Sequence, residues 1–132
     1  MNDRQLEKAV EIANRAPDLH PWFVALNTCR DGADFEAFVV GLLHDSLEDG
    51  YATEYDLMVF PGPVADAVHT LTRGIDESYG EYIERVRTGS ALARRVKVAD
   101  AEVNLARSLN DETQSRVKRY QHVIDVLTKE ES

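Results

Sequence analysis

Residues 35–50 read FEAFVVGLLHDSLEDG, and this stretch determines most of the fold. Its apolar residues recur at the i, i+3, i+4 and i+7 spacing of one buried helical face, and they are Phe35, Phe38, Val39, Leu42 and Leu43. The spacing predicts a central core helix that continues into His44-Asp45. This helix should end near Asp49-Gly50, because glycine readily adopts the left-handed conformation that closes helices.

Helical spacing of apolar residues continues through most of the remaining chain, and no segment alternates as a strand does. Pro21 suits the first turn of a helix, which places His20 at the start of that helix. A turn is predicted at Asp31-Gly32, and Asn110 or Asp111 should cap the last helix. We therefore predict an all-α bundle of about six to eight helices, with residues 1–132 forming one domain.

The composition argues against several classes of protein. With 24 acidic and 15 basic residues, the net charge of −9 repels nucleic-acid backbones and anionic membranes, so no extended nucleic-acid surface is expected. No apolar run approaches the roughly 18 residues of a transmembrane helix. The N-terminus lacks the basic and apolar profile of a secretory signal, and the single Cys29 cannot form an internal disulfide. The expected location is the cytoplasm.

Basic residues are concentrated in one part of the chain. A stretch without any acidic residue contains Arg85, Arg87, Arg94, Arg95 and Lys97. Arginine forks match the geometry of phosphate, which favours binding of a small anion. The alternative is that these side chains lie at helix ends and on solvated faces, where the helix dipole also favours them.

The acidic end of the core helix predicts a metal site. Helical spacing of three or four residues places His44, Asp45, Glu48 and Asp49 on one surface. Close carboxylates repel one another unless a proton, a base or a cation lies between them. Imidazole and carboxylate ligands together suit Mn²⁺, Fe²⁺, Co²⁺ or Zn²⁺. Alternatively, His44 is only an imidazolium that interacts favourably with the helix dipole.

Several separated motifs carry a resemblance to a known family. They are His20-Pro21, residues 42–49 (LLHDSLED), residues 64–73 (VADAVHTLTR), Tyr79 to Ile83, and residues 96–104 (VKVADAEVN). In this order and spacing the chain resembles the HD-domain metal-dependent phosphohydrolases. It is most similar to the hydrolase domain of RelA/SpoT-type alarmone (ppGpp) enzymes and to their small single-domain relatives. The resemblance extends over about His20 to Leu109.

The resemblance implies a hydrolase that uses one divalent metal ion, with Mn²⁺ the usual ion of the alarmone branch. Glu48 and Asp49 match the pair that orients or deprotonates the attacking water, and Asn104 matches a residue of the nucleotide pocket. Asn104 is four residues after Asp100 and so shares its helical face. The residues that match metal ligands are His20, His44, Asp45 and Asp100.

The implied substrate is a small phosphorylated compound, such as a nucleotide. Basic side chains would offset its charge, and the candidates are Arg73, Arg94, Arg95 and Lys97. Residues 15–19 (RAPDL) lack the basic, glycine-containing loop that alarmone hydrolases carry before the His-Pro element. Ala101 and Val103 stand where those enzymes have Arg and His. The identity of the substrate therefore stays open.

Two other functions fit the same residues. In the first, the chain is a non-catalytic HD-type module whose metal stiffens the fold while its acidic surface binds a protein partner. In the second, it is a metal-free helical interaction domain, in which the helix dipole accounts for the His44-Asp45 pair and Asn104 is an exposed amide. Metal titration against a panel of nucleotides distinguishes these functions from a hydrolase.

Overall fold

The computed structural model describes residues 1–30, 34–110 and 114–129. In these residues the protein forms helices and no strand, which confirms the predicted all-α class. None of the described helices combines the length and the apolar character needed to cross a membrane. The predicted turn at Asp31-Gly32, the cap residue Asp111 and the side chain of Asn110 lie outside the described residues. The helices are α1 (Asp3–Ala13), α2 (His20–Thr28), α3 (Phe35–Leu43), α4 (Glu54–Leu57), α5 (Gly62–Thr70), α6 (Tyr79–Arg87), α7 (Ala91–Asn110) and α8 (Gln114–Thr128).

The core of the bundle is built around α3, which contacts α1, α2, α5 and α7. Burial of one aliphatic side chain of this helix contributes about 1.5–3 kcal/mol. Phe35, which the apolar spacing assigned to the same face, is 45% exposed, and Phe38 is only partly buried. Spacing shows which residues share a helical face, but it does not show where the neighbouring helices end. The large side chains that α3 buries completely are Val39, Val40, Leu42 and Leu43.

Helices α2 and α3 approach each other closely at Gly41. A Cβ atom built on Gly41 would lie 2.7 Å from the Cα atom of Ala25 and 2.9 Å from its backbone nitrogen. These distances are shorter than van der Waals contact, so only glycine permits this helix crossing without a backbone shift. The close crossing sets the separation between the two helices that carry His20 and His44.

The core helix ends at Leu43, earlier than predicted. The imidazole Nδ1 of His44 donates to the Gly41 carbonyl at 2.7 Å, and the hydroxyl and amide of Ser46 both donate to the Leu43 carbonyl. These groups occupy backbone acceptors that a further helical turn requires. The segment that follows consists of turns, in which Gly50 has the expected left-handed φ of +76°.

Three helices bring distant parts of the chain together. As predicted, α2 begins at His20 and has Pro21 in its first turn. It packs against both α3 and α7, and α3 also packs against α7. The start of α2, the end of α3 and the middle of α7 therefore lie near one another, and these three places carry His20, His44 and Asp100.

Candidate metal centre

Two imidazoles and a carboxylate from three parts of the chain form a compact cluster. Potential ligand atoms of His20, His44 and Asp100 all lie within 4.8 Å of one another. These side chains are 12%, 3% and 5% exposed, respectively. Because buried ionisable groups need a shared proton or a cation, the cluster is a candidate metal centre.

Hydrogen bonding fixes the orientation of the His44 ring. Because Nδ1–H donates to the Gly41 carbonyl, the Nε2 atom is directed toward Asp45 and Asp100. This Nε2 atom is buried and makes no well-aligned hydrogen bond within the described residues, although Asp45 Oδ2 lies 3.1 Å from it. Metal-bound histidines commonly anchor their second ring nitrogen on a backbone carbonyl in this way. His44 is therefore oriented to offer Nε2 to an ion.

The two carboxylate oxygens of Asp100 have different partners. Oδ2 accepts from the Lys97 ammonium group at 2.8 Å, from one turn earlier on α7. Oδ1 lies 2.7 Å from His20 Nε2 and accepts from the Asn104 amide nitrogen at 3.2 Å. Lys97 thus neutralises one side of the carboxylate, while Oδ1 is directed at the imidazoles.

The distances within the cluster fit a metal ion. Atoms bound at about 2.1 Å to one ion lie roughly 3.0–4.2 Å apart in tetrahedral or octahedral geometry. Asp45 Oδ2 is 3.1 Å from His44 Nε2 and 3.8 Å from His20 Nε2. His44 Nε2 is 3.5 Å from Asp100 Oδ1. The shorter 2.7 Å contact between His20 and Asp100 is a direct hydrogen bond. The structure therefore brings His20, His44 and Asp100 together and places Asp45 beside both imidazoles.

The charges of the cluster shift pKa values in opposite directions. Burial alone would lower the pKa of His44, but the carboxylates of Asp45 and Asp100 raise it to about 10. Burial alone would raise the pKa of Asp100, but Lys97 and the two imidazoles hold it well below its usual range. Without a metal, His44 is thus protonated at neutral pH, and a divalent cation would take the place of that proton.

The cluster opens into a polar cavity of about 360 Å³. Glu48 and Asp49 line this cavity together with His20, Asp45 and Asp100. The Glu48 carboxylate accepts from the backbone amide of Arg73 at 2.8 Å, which fixes its position. Partial burial and the neighbouring carboxylates of Asp45 and Glu48 raise the pKa of Asp49. A raised pKa makes Asp49 a better proton acceptor than an ordinary aspartate.

The predicted substrate-binding residues divide into two groups. Lys97 and Asn104 line the cavity. Arg94 lies elsewhere, because its guanidinium group donates to the carbonyls of Arg87 and Gly89 at the end of α6. For Arg94 the structure therefore corresponds to the helix-end alternative rather than to a phosphate ligand.

Arg95 and Arg73 also lie outside the cavity lining. Arg95 donates to the Asp34 carboxylate at 3.1 Å and to the Thr28 carbonyl at 2.6 Å, so it links α7 to α2 and to the start of α3. The Arg73 side chain donates to the Glu77 carbonyl at 2.9 Å. In this structure neither side chain lines the cavity, although Arg73 lies beside it, with Cζ 5.7 Å from the centroid of the lining residue Tyr79.

Sequence reasoning missed other side chains of the cavity. Arg107 could have been found, because it is seven residues after Asp100 and shares a helical face with Asp100 and Asn104. No spacing rule connects Arg119 with the cluster, because only the packing of α8 against α7 brings it there. The missed lining residues include Tyr51, Tyr79, Arg107, Arg119 and Tyr120.

Comparison with known proteins assigns no family. No protein-family model matches the chain, and no curated protein matches it in sequence. The resemblance to HD-domain phosphohydrolases therefore rests on the motifs alone. The geometry of the cluster and of the cavity beside it is the remaining evidence about function.

Proposed function

We propose that this protein is a metal-dependent phosphohydrolase that acts on a small phosphate ester or pyrophosphate, such as a nucleotide. The proposal is carried by the convergence of two imidazoles and two carboxylates beside an open polar cavity. A purely structural cluster of charges has no need of an adjoining cavity. A catalytic metal requires both ligands and room for a substrate.

The proposed chemistry assigns a role to each side chain. A divalent ion, proposed to be Mn²⁺, would supply Lewis-acid polarisation of a phosphoryl oxygen and acidify a bound water. Glu48 and Asp49 would orient the attacking water and accept its proton, consistent with the raised pKa of Asp49. Lys97 would hold the carboxylate of Asp100 in place through its 2.8 Å contact. The four ligands would be His20, His44, Asp45 and Asp100.

Phosphate release from a panel of nucleotides, measured with Mn²⁺, Co²⁺ and Mg²⁺, tests the proposal. Glu48→Gln and Asp49→Asn should each lower kcat about 10²–10⁴-fold, as expected for loss of a proton acceptor. Both variants should still bind the ion, because neither side chain is a proposed ligand. Asp66→Asn is the matched control, since this exposed aspartate on α5 lies outside the cavity lining.

Ligand variants separate the hydrolase from its two rivals. Asp45→Ala and Asp100→Ala should abolish metal binding and turnover while the helical circular dichroism spectrum is preserved. Asp45→Ala is the safer of the two, because Asp100→Ala also leaves the buried Lys97 without its partner. Metal-loaded protein that is inert on every substrate would contradict the hydrolase and favour the non-catalytic module. Failure to bind any of the three metals would favour the metal-free domain.

A further inference from the structure

Helix α2 is apolar on its outer face as well as on the face that it buries in the core. On the outer face, Leu19, Phe23 and Leu26 are 61%, 51% and 59% exposed. They are four and three residues apart, so they form one stripe along about 10 Å of the helix. Single exposed apolar residues are common on protein surfaces, but three along one short helix indicate a surface that packs against another molecule.

The stripe forms one wall of a groove between α2 and α7. Val103 and Ala106 of α7 contribute apolar side chains to the other wall, and the groove has a volume of about 820 Å³. An aromatic side chain presented by another molecule could lie between these walls as an interface anchor. The groove adjoins the metal cavity, because Asp18, His20 and Arg107 line both.

The charges around the groove balance one another, unlike those of the whole chain. Two acidic side chains, Asp18 and Glu102, and two basic ones, Arg30 and Arg107, line it. The chain as a whole carries a net charge of −9, which makes its copies repel one another. The groove is therefore a face on which two copies can approach with little repulsion.

The order of the charges along α2 makes this face complementary to itself. Asp18 precedes the helix and Arg30 follows it, and both side chains are exposed. When two copies of α2 lie antiparallel about a two-fold axis near Phe23, the Asp18 end of each meets the Arg30 end of the other. Arg30 donates from Nη2 to Glu102 at 3.1 Å within its own chain. Its side chain is 62% exposed, so its other N–H donors can bind a second carboxylate.

We propose that the groove between α2 and α7 is the interface of a homodimer in which the two copies of α2 pack antiparallel. The Phe23 ring of each copy enters the groove of the other, and each Leu19 packs against the Leu26 of the other copy. The apolar stripe is then buried at the centre of the interface, with the charged groups at its rim, as in other stable interfaces. The proposal does not depend on the proposed activity.

Sedimentation equilibrium of the full-length chain tests the proposal. The chain should dimerise between about 1 μM and 0.2 mM, because interfaces of standard size have dissociation constants in the micromolar range or below. Phe23→Glu and Leu26→Glu should each weaken the dimer at least about a hundredfold, since a two-fold interface contains each residue twice and each lost contact is worth about tenfold. Leu26→Gln should also weaken it, without adding a charge.

Met58→Glu is the matched control for the apolar variants. Met58 is 76% exposed and lies outside the groove, and its replacement adds the same charge. At a salt concentration near 0.1 M, which screens general repulsion, this variant should dimerise as the original chain does.

Arg30→Glu tests the charges at the rim. It places a like charge opposite Asp18 and should weaken the dimer about tenfold or more. Arg116→Glu is its control, because Arg116 is exposed on α8 outside the groove and its replacement changes the net charge equally. This control should leave the dissociation constant unchanged within about twofold at a salt concentration near 0.1 M.

Two results would overturn the inference. The first is an original chain that remains monomeric up to about 0.2 mM, well above the micromolar range of standard interfaces. The second is a dimer that Phe23→Glu and Leu26→Glu weaken no more than Met58→Glu does, because the copies would then meet on another surface. Circular dichroism of each variant establishes that the helices are preserved, so that loss of the dimer is not loss of the fold.

Discussion

His44 connects the backbone to the cluster. Its Nδ1–H occupies the Gly41 carbonyl, which contributes to ending α3 and leaves Nε2 directed at the carboxylates. The same contact selects the tautomer that a metal ligand needs. One side chain therefore sets the end of the core helix and the orientation of the site. Removing the imidazole would be expected to affect both.

The raised pKa of His44 predicts a metal affinity that depends on pH. With a pKa of about 10, Nε2 carries a proton at neutral pH, and this proton must leave before an ion binds. Mn²⁺ binding should release about one proton, and its affinity should rise about tenfold per pH unit from roughly pH 6.5 to 8.5. Calorimetry in two buffers of different ionisation enthalpy measures both quantities. An affinity independent of pH over this range would contradict the prediction.

At the scale of elements, the crossing of α2 and α3 depends on the absence of a side chain at Gly41. A methyl group there would lie 2.7 Å from a backbone atom of Ala25, and a backbone atom cannot rotate away. Relief of the overlap requires the two helices to separate. Separation would also move His20 relative to His44 and so disturb the cluster.

Gly41→Ala should therefore lower the free energy of unfolding by about 1–3 kcal/mol or more, as overpacking of a core does. Mn²⁺ affinity should fall in the same variant. Gly80→Ala is the control, because a Cβ atom at this position in α6 has no neighbour within 4 Å. It should be neutral or stabilise by up to about 1 kcal/mol. Equal stability of the two variants in urea denaturation would show that the close contact is unimportant.

The corner between α5 and α6 is held by Arg85. Its guanidinium group donates to the carbonyls of Thr70 and Thr72 and to the Glu77 carboxylate. The same corner supplies the Arg73 amide that binds Glu48. Arg85, which the sequence placed among candidates for phosphate binding, thus supports the site indirectly by holding this corner together.

This corner should be sensitive to acid. Hydrogen bonds from the Arg85 side chain and the Gly74 amide lower the pKa of Glu77 to about 2. A lowered folded-state pKa stabilises the protein above the ordinary value of 4.5, and this contribution is lost as the pH falls toward about 2. Glu77→Gln should therefore flatten the loss of stability in that range, measured by urea denaturation. Glu7→Gln, at an exposed position on α1, should retain the original slope.

At the scale of the whole molecule, the cluster joins parts of the chain that are far apart in sequence. The hydrogen bond between His20 and Asp100 spans 80 residues. An ion bound to both side chains, and to His44 and Asp45, would connect α2, α7 and the end of α3. The ion would then bind the folded chain much better than the unfolded chain, and binding would stabilise the fold.

Mn²⁺ should accordingly raise the melting temperature. At a free concentration 100 times Kd, binding stabilises by about 2.7 kcal/mol, which corresponds to about 10 °C for a chain of this size. Differential scanning calorimetry measures the shift, and a chelator should reverse it. Asp45→Ala should abolish the shift. An unchanged melting temperature in the original chain would instead indicate that the cluster binds no ion.

Local information in the chain was sufficient for the helical class, the core helix and the start of α2. The resemblance to the HD-domain motifs marks His20, His44, Asp45 and Asp100 as candidate ligands, but only the tertiary structure shows that His20, His44 and Asp100 meet. Arg107 was accessible in principle from its spacing to Asp100. The helical class, the core helix and the shared face of Asp100 and Arg107 depend on relations between residues three, four or seven apart, which a single helix determines.

Only the tertiary structure decided which arginines reach the cavity. Arg94 and Arg95 are occupied at helix ends and between helices, whereas Arg119 is brought in by the packing of α8 on α7. The early end of α3 likewise depends on side-chain donors competing for backbone acceptors. Spacing along one helix shows which of its residues share a face. Which other helix packs against that face depends on contacts between segments distant in the chain, and those contacts decide whether an arginine such as Arg119 reaches the cavity.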